Sequence, residues 1–278
     1  MQQNIPKLRK VIVTGANKGI GYEIAKLLYL EKDPYHIVIT SRDVSLGEKA
    51  IKNIKNNAPN SENKVELQQL EVNNEESINN FVSWVKESLG TFDVLVNNAG
   101  FGYNKTSIQD SVLTLNTNFF SLVNLTEKLL PFLSEDGKVV QISSGAGNLK
   151  HQGENVRKLL ANPFLERKEL FTIANDLLES TKSGQANSLD WHELAYQNSK
   201  CLLNAYTRWV LPKILQENQQ CYSCTPGYCR TDMTSPDATL SAEEGARTAV
   251  YLVKLPFAKN PDLHMKFFRG QNTESYES

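Results

Sequence analysis

The chain has 278 residues, of which 40% are hydrophobic and 22% charged, so it holds enough apolar surface to bury a core and lacks the composition of a disordered segment. Its 30 basic and 31 acidic residues leave a net charge of −1 without a basic stripe, which excludes a dedicated nucleic-acid binder. No apolar run reaches the roughly 18 residues of a membrane-spanning helix, and the N-terminal MQQNIPKLRK lacks the apolar segment of a signal peptide, so we expect a cytoplasmic protein without membrane partners.

Short apolar segments and longer amphipathic segments alternate along the chain. The apolar segments predict strands at residues 10–14, 36–40, 65–70, 94–96, 138–142, 222–225 and 264–268. Apolar residues spaced three and four apart predict helices at residues 21–30, 46–54, 77–89, 113–133, 194–215 and 242–253. This alternation is typical of the α/β class, with a single doubly wound parallel sheet that carries helices on both faces.

The alternation is interrupted once, between residues 148 and 193. A structureless loop of this length is uncommon in a compact domain. Part of the segment has apolar residues on one helical face, namely Leu170, Ile173, Ala174, Leu177 and Leu178. We therefore predict a helical insertion that packs on the sheet. Length alone favours nearly two domains, but no linker rich in Gly, Ser or Pro divides the chain, and we expect residues 1–278 to form one domain.

Four cysteines fit a reducing compartment, and two of them, Cys221 and Cys224, form a C-x-x-C pair. Such pairs occur at redox and zinc sites, but a zinc site needs two further ligands, and the sequence holds no second C-x-x-C or H-x-x-x-H. The pair also lies in the segment QQCYSCTPG, which has the pattern of a short strand, and residues three apart in a strand point to opposite faces. We therefore favour a structural interpretation and predict no metal site.

A glycine-rich turn follows the first predicted strand and leads into the first helix. Glycines at this spacing allow a tight turn, and the start of a helix offers free N–H groups and a positive dipole end to a pyrophosphate. An ordinary tight turn is the alternative. The position of the turn favours a dinucleotide site on a Rossmann-type sheet. The predicted cofactor contacts here are Gly15, Asn17, Lys18, Gly19, Ile20 and Gly21.

The end of the second predicted strand indicates which dinucleotide binds. An acidic residue there suits the ribose hydroxyls of NAD, whereas a basic residue suits the 2′-phosphate of NADP. Here Arg42 offers a planar guanidinium to a phosphate, and Lys18 adds a second cation. Asp43 either neutralises Arg42 or caps the next helix, and a plain surface charge is the alternative role for Arg42. We predict NADPH/NADP+ as the cofactor.

Six motifs together resemble the short-chain dehydrogenase/reductase family, in the family's order and over most of the chain. They are the Thr14–Gly21 turn, Asn97-Asn98-Ala99-Gly100, Asn118, Ser143-Ser144, Tyr196-Gln197-Asn198-Ser199-Lys200 and Pro226-Gly227. The resemblance implies a catalytic set of Ser144, Tyr196, Lys200 and Asn118. In that set Lys200 also holds the nicotinamide ribose, and Asn118 orders a water that relays protons. Ser144 is assigned rather than Ser143 because the family's serine matches the second of the pair.

The spacing of these residues suits proton transfer. Tyr196 and Lys200 are four residues apart on a predicted helix, so both project from one face. A tyrosine hydroxyl has a pKa of about 10, and a nearby ammonium favours the phenolate and lowers that pKa toward the working range. Ser144 follows a predicted strand at the edge where ligands bind, and its hydroxyl suits a substrate carbonyl. Asn118 as a plain polar residue on a helix is the alternative to its relay role.

The resemblance also assigns further contacts. Besides the glycine turn and Arg42, the cofactor contacts are Glu71, Val72, Asn98, Ala99, Gly100, Tyr196, Lys200, Pro226, Gly227 and Thr231, with Thr231 on the carboxamide. Glu71 stands where the family often has Asp against the adenine, and its longer side chain weakens or shifts that contact. Tyr228 and Met233 join Ser144 in the predicted substrate pocket, with packing or a surface loop as the alternative.

Within the family, three features resemble the monomeric carbonyl reductases: the segment 230–233, the segment 241–246 and the insertion before Tyr196. Two long helices pair across subunits in the wider family, and in this group the insertion covers that surface, so we expect a monomer. The expected activity is NADPH-dependent reduction of small carbonyl compounds (aldehydes, ketones and quinones) to alcohols, with Tyr196 as general acid. The same residues suit an NADP-dependent alcohol or steroid dehydrogenase working oxidatively, and a non-catalytic NADPH-binding sensor is a further hypothesis.

Overall fold

The structure is a computed structural model that describes residues 8–102, 106–185, 190–234 and 236–277. Its strands are β1 (Arg9–Val13), β2 (Tyr35–Ser41), β3 (Lys64–Gln69), β4 (Phe92–Asn97), β5 (Leu133–Ile142), β6 (Gln220–Thr225), β7 (Phe267–Arg269) and β8 (Asn272–Glu274). Its helices are α1 (Gly19–Tyr29), α2 (Val44–Asn57), α3 (Glu75–Trp84), α4 (Ile108–Leu115), α5 (Leu122–Leu129), α6 (Glu154–Leu160), α7 (Arg167–Lys182), α8 (Ala195–Ala205), α9 (Leu211–Ile214) and α10 (Ala242–Lys254). No helix within these ranges is long and apolar enough to cross a bilayer.

The eight strands form one sheet in the order β3-β2-β1-β4-β5-β6-β7-β8. Strands β1 to β7 are parallel, which confirms the predicted sheet. The eighth strand is antiparallel to β7 and was not predicted, because it is short and exposed and carries no apolar pattern. Gly270, with a φ of +61°, lies in the tight turn between β7 and β8. The strand order reverses between β1 and β4, and in such sheets a ligand crevice forms at the carboxyl ends of the strands beside this point.

The sheet separates two apolar cores. The first core includes side chains of α3, α4, α5, α7 and α8, and the second includes side chains of α1, α2 and α10. Cys221 belongs to the first core and Cys224 to the second, and both are free thiols. The two side chains therefore point to opposite faces of β6, as strand geometry predicts, and they are not placed to form a disulfide with each other.

The predicted helix at 113–133 begins earlier than expected and is interrupted. It starts at Ile108, with Ser107 as its N-cap, and widens into a π-helical turn at Asn116–Ser121 before α5. A π turn inserts one extra residue and shifts the rotational register between the segments that flank it. Asn118 lies inside this turn.

The insertion contains the helices α6 and α7, as the sequence predicts for part of it, whereas its residues 186–189 lie outside the described ranges. The side chains that α7 buries in the first core include Leu170, Ala174 and Leu177. The Phe171 ring lies 5.6 Å from the ring of Phe119 in the π turn. At the start of α7, Arg167 donates two hydrogen bonds from Nε and Nη2 to the Glu127 carboxylate of α5. The insertion thus packs on the surface of the long interrupted helix.

Lys138 of β5 is fully buried, although the sequence places it in an apolar strand. Its ammonium donates hydrogen bonds to the carbonyl oxygens of Val253 (3.1 Å) and Leu255, at the end of α10, and lies 3.9 Å from the ring centroid of Phe257. Burial lowers its pKa to about 7. The side chain satisfies carbonyl groups that a helix C-terminus leaves without partners.

Candidate active site

The glycine turn is packed tightly at Gly15 and Gly21, where a side chain would have no room. Gly15 and Gly19 have φ values of +62° and +60°, which favour glycine. A Cβ on Gly21 would lie 2.4 Å from Nδ2 of Asn98 and 2.9 Å from the carbonyl oxygen of Gly15. The turn therefore brings its backbone against the loop that follows β4.

Hydrogen bonds lock these two loops together. The Thr14 hydroxyl accepts from the backbone N–H groups of Asn98 (2.9 Å) and Ala99 (3.0 Å). In return, the Asn98 amide donates to the carbonyl oxygens of Thr14 (2.9 Å) and Gly15 (3.1 Å). The Asn98 side chain therefore holds the loop after β4 against the glycine turn.

The N-terminus of α1 is open to an anion such as a pyrophosphate. Lys18 occupies the N-cap position, and its side chain makes no capping hydrogen bond to α1. By contrast, α2 is capped by Asp43, which accepts a hydrogen bond from the backbone N–H of Leu46 at 3.1 Å. The first N–H groups of α1 and the positive end of its dipole thus have no side-chain cap and suit the pyrophosphate of a dinucleotide.

The sequence leaves two roles open for Asp43, neutralising Arg42 or capping the next helix, and the structure shows the cap. The largest causes that lower the pKa of Asp43 are its hydrogen bonds to Ser45 and to the backbone of Leu46, and the charge of Arg42 is a minor one. Asp43 therefore caps α2, while Arg42 is exposed at the carboxyl end of β2. That position of the Arg42 guanidinium suits a phosphate group bound beside the glycine turn.

Lys18, the other predicted phosphate-binding cation, has an acidic partner. Its ammonium lies 2.7 Å from a carboxylate oxygen of Asp232, and this contact lowers the pKa of Asp232. The loops they belong to also approach each other, since a Cβ on Gly19 would lie 3.7 Å from the Cγ2 of Thr231. Asp232 was not predicted as a partner of Lys18, because no local sequence pattern connects residues 214 positions apart.

The two serines after β5 have different surroundings. Ser143 is buried, and its hydroxyl lies 3.5 Å from the carbonyl oxygen of Lys200. The Ser144 hydroxyl is partly exposed and accepts a hydrogen bond from the backbone N–H of Ala146 at 3.1 Å. Since that bond uses a lone pair, the Ser144 O–H stays available to donate to a ligand. These surroundings favour Ser144 as the residue that faces a substrate.

Helix α8 carries Tyr196 and Lys200 on one face at this edge of the sheet. Lys200 is buried, donates to the carbonyl oxygen of Ile142 at 2.8 Å and lies 5.8 Å from the ring centroid of Tyr196. Burial lowers the pKa of Lys200 to about 8, and the nearby Cys224 acts in the opposite direction. A Cβ on Gly147 would lie 2.6 Å from the carbonyl carbon of Lys200, so this glycine lets α8 approach the end of β5.

Asn118 joins this group through the π turn. Its Oδ1 accepts from the backbone N–H of Phe101 at 2.8 Å, and its Nδ2 donates to the carbonyl oxygen of Phe101 at 2.8 Å and to the Ser199 hydroxyl at 3.1 Å. A Cβ on Gly100 would lie 3.3 Å from Asn118 Oδ1 and 3.9 Å from the Lys200 ammonium. The missing side chain of Gly100 therefore allows both groups to reach the same space. Ser199 was not predicted as a site residue. The only sequence signal for it was its position inside Y-x-x-x-K.

The remaining predicted residues lie around this edge of the sheet. Gly227 has a φ of +80° and shapes the turn after β6 that begins with Pro226. Tyr228 and Met233 are 37% and 40% exposed, which leaves both side chains accessible to a ligand. Glu71 is exposed at the end of β3, whereas Val72 packs partly against the first core.

Known proteins resemble this chain in sequence and in structure. Residues 9–156 match the family model described as short chain dehydrogenase. The chain is 32% identical to carbonyl reductase (NADPH) 1 of Rattus norvegicus, over 95% of this chain and 97% of that protein. It is also 32% identical to carbonyl reductase (NADPH) 3 of the same organism, over 89% of this chain and 91% of that protein. The structure of salutaridine reductase from Papaver somniferum is similar, with a TM-score of 0.83 and 28% identity over 94% of this chain and 99% of that one.

Proposed function

Because the chain belongs to the short-chain dehydrogenase/reductase family, we propose that it reduces aldehydes, ketones and quinones to alcohols with NADPH. The observation that carries this proposal is the convergence of Ser144, Tyr196 and Lys200 at the sheet edge beside the open N-terminus of α1. The named relatives, which are carbonyl reductases that use NADPH, support the same activity.

A carbonyl panel with NADPH oxidation as the readout tests this function. Turnover of aldehydes, ketones or quinones is the expected result. Tight NADPH binding without turnover of any compound would contradict the proposed carbonyl reductase activity and favour the non-catalytic NADPH-binding sensor. Assaying the matching alcohols with NADP+ in the same experiment shows which direction of the reaction is faster.

Each residue of the set has a distinct task in the proposed reaction. The cofactor chemistry at this site would be hydride donation from bound NADPH to the carbonyl carbon, with NADP+ as the product. Ser144 donates a hydrogen bond to the carbonyl oxygen and stabilises the negative charge that develops there. Tyr196 donates its hydroxyl proton to that oxygen, so the carbonyl becomes an alcohol. The Lys200 ammonium stabilises the resulting phenolate until Tyr196 takes up a proton again.

In this proposal Asn118 has a positioning role. Both ends of its amide are engaged by the backbone of Phe101 and by Ser199. The side chain therefore fixes the loop after β4 against α8. We infer that Asn118 holds Gly100 next to the Lys200 ammonium, where a water on the relay path implied by the family would have its place.

Arg42→Asp is expected to weaken NADPH binding by about tenfold to a hundredfold and NADH binding much less. The substitution removes a charge-assisted hydrogen bond to the 2′-phosphate, and the new carboxylate repels that phosphate. Fluorescence titration of both cofactors measures the two dissociation constants. Arg247→Asp, which makes the same charge change on α10, is the control and should leave the ratio unchanged. Equal losses for NADPH and NADH in Arg42→Asp would refute the phosphate role.

We also infer that the protein is a cytosolic monomer of one domain. Helix α7 packs on the helix surface that pairs across subunits elsewhere in the family, and the cysteines Cys201, Cys221, Cys224 and Cys229 are all free thiols, which fits a reducing compartment. Light scattering after size-exclusion chromatography should give the mass of one chain, 31.3 kDa, at every concentration. A stable tetramer would show that the insertion leaves that surface open.

A further inference from the structure

The pair formed by Lys18 and Asp232 joins the two sides of the proposed cofactor crevice. Its two charged atoms are 2.7 Å apart, and the side chains are 65% and 77% exposed. Lys18 stands at the N-cap of α1, and a Cβ on the next residue, Gly19, would lie 3.7 Å from the Cγ2 of Thr231, so the loop that carries Asp232 faces the start of this helix. The pair therefore connects the start of α1 with the loop that follows β6.

Backbone hydrogen bonds hold the described residues on both sides of Asp232. Hydrogen bonds from Arg230 N to the Leu240 carbonyl (2.8 Å) and from Leu240 N to the Tyr228 carbonyl (3.0 Å) close the base of the loop. At its tip, Thr231 N donates to the Thr234 hydroxyl (3.1 Å) and Thr234 N donates to the Thr231 carbonyl (3.1 Å). Asp232 lies within this tight turn and is presented to Lys18 by the backbone.

When NADPH binds, its 2′-phosphate and the Asp232 carboxylate compete for the Lys18 ammonium. The lysine ammonium is a compact point charge on a flexible stem. If it contacts the 2′-phosphate, as the proposed function requires, it must leave the Asp232 carboxylate. NADH carries a hydroxyl in place of that phosphate, so its binding does not require Lys18 to leave the Asp232 carboxylate. The ion pair therefore opposes the binding of one cofactor and is neutral toward the other.

On this basis we propose that Asp232 is a cofactor-specificity residue, which competes with the 2′-phosphate of NADPH for Lys18 and so reduces the preference for NADPH over NADH. The proposal rests on the NADPH-dependent function proposed above. An exposed ion pair has a small coupling energy, which corresponds to about two- to fivefold in affinity. The effect should shrink as salt screens the pair.

Titration of Asp232→Asn with three probes tests the competition. NADPH and adenosine 2′,5′-bisphosphate should each bind about two- to fivefold more tightly than to the wild type, while NADH affinity stays the same. The bisphosphate matters because it carries the 2′-phosphate and has no nicotinamide to contact the loop. Asp237→Asn removes the same charge from the same loop and should change none of the three affinities. In a Lys18→Gln background, Asp232→Asn should have no effect on NADPH.

The other outcomes overturn the proposal in distinguishable ways. Unchanged affinity for NADPH and the bisphosphate would show that Asp232 does not compete. Weaker binding of NADPH and NADH together would show that the pair instead clasps the bound dinucleotide. Because the titrations contain no carbonyl compound, they do not depend on turnover. A wild-type protein that binds neither NADPH nor the bisphosphate would overturn the NADPH-dependent function itself.

Discussion

Replacing Tyr196 with Phe is expected to lower kcat for carbonyl reduction by about 10²- to 10⁴-fold, the usual contribution of a general acid. The substitution removes the hydroxyl proton that the carbonyl oxygen receives and keeps the ring that packs at the start of α8. NADPH affinity should therefore change little. Stopped-flow NADPH oxidation in a single turnover, combined with a binding titration, separates the chemical step from cofactor binding.

Tyr251→Phe is the matched control for this experiment. It removes the same hydroxyl from a partly buried tyrosine on α10, on the opposite face of the sheet. Its kcat should match the wild type. Unchanged turnover in Tyr196→Phe would remove this tyrosine from the mechanism and leave the proton donor unassigned.

Carbonyl reduction is expected to decline as the pH rises through about 8, and Lys200→Met should lower activity by about 10²-fold or more and abolish that decline. Burial lowers the pKa of Lys200 to about 8, so the ammonium is present below that pH and lost above it. Only the charged form stabilises the Tyr196 phenolate, and a preorganised charge in a dry site contributes several kcal/mol. The measurement is kcat/KM against pH for both proteins.

Lys10→Met provides the control for loss of a partly buried lysine. The Lys10 ammonium donates to the carbonyl oxygen of Leu89 at 2.6 Å, on β1 at the opposite end of the sheet from the site. Its pH profile should keep the decline near pH 8. If Lys200→Met kept that decline as well, another group would be responsible for it, and the charge of Lys200 would not control the reaction.

Local sequence signals predicted the parts of the site that a short stretch of chain forms by itself. The glycine turn, Y-x-x-x-K and the serine pair each sit at the end of a strand or the start of a helix, so alternation of elements was enough to bring them to one sheet edge. The α/β sheet and the family are confirmed for the same reason. The roles of individual site residues remain predictions for the experiments above.

Features that depend on distant parts of the chain had no such signal. Lys138 appears in the sequence as one charge in an apolar strand, and only the end of α10 explains why it is buried. The pairing of Lys18 with Asp232 depends on the shape of two loops. Strand β8 is held by backbone pairing with β7, which does not require an apolar pattern. In each case the deciding partner lies far away in sequence or is the backbone itself.

The π turn at Asn116–Ser121 has a consequence for how the long helix tolerates change. Leu115 before the turn and Leu122 after it both face the first core, so the core fixes the helix on either side. The single extra residue is accommodated between these two anchors, and it sets the direction of Asn118. Repacking of the core through substitutions in α5 should therefore leave the amide in place, whereas a one-residue deletion between 116 and 121 would restore an ordinary helix and turn the amide away. The turn therefore lets one helix contribute Leu115 and Leu122 to the first core while the Asn118 amide faces the loop after β4.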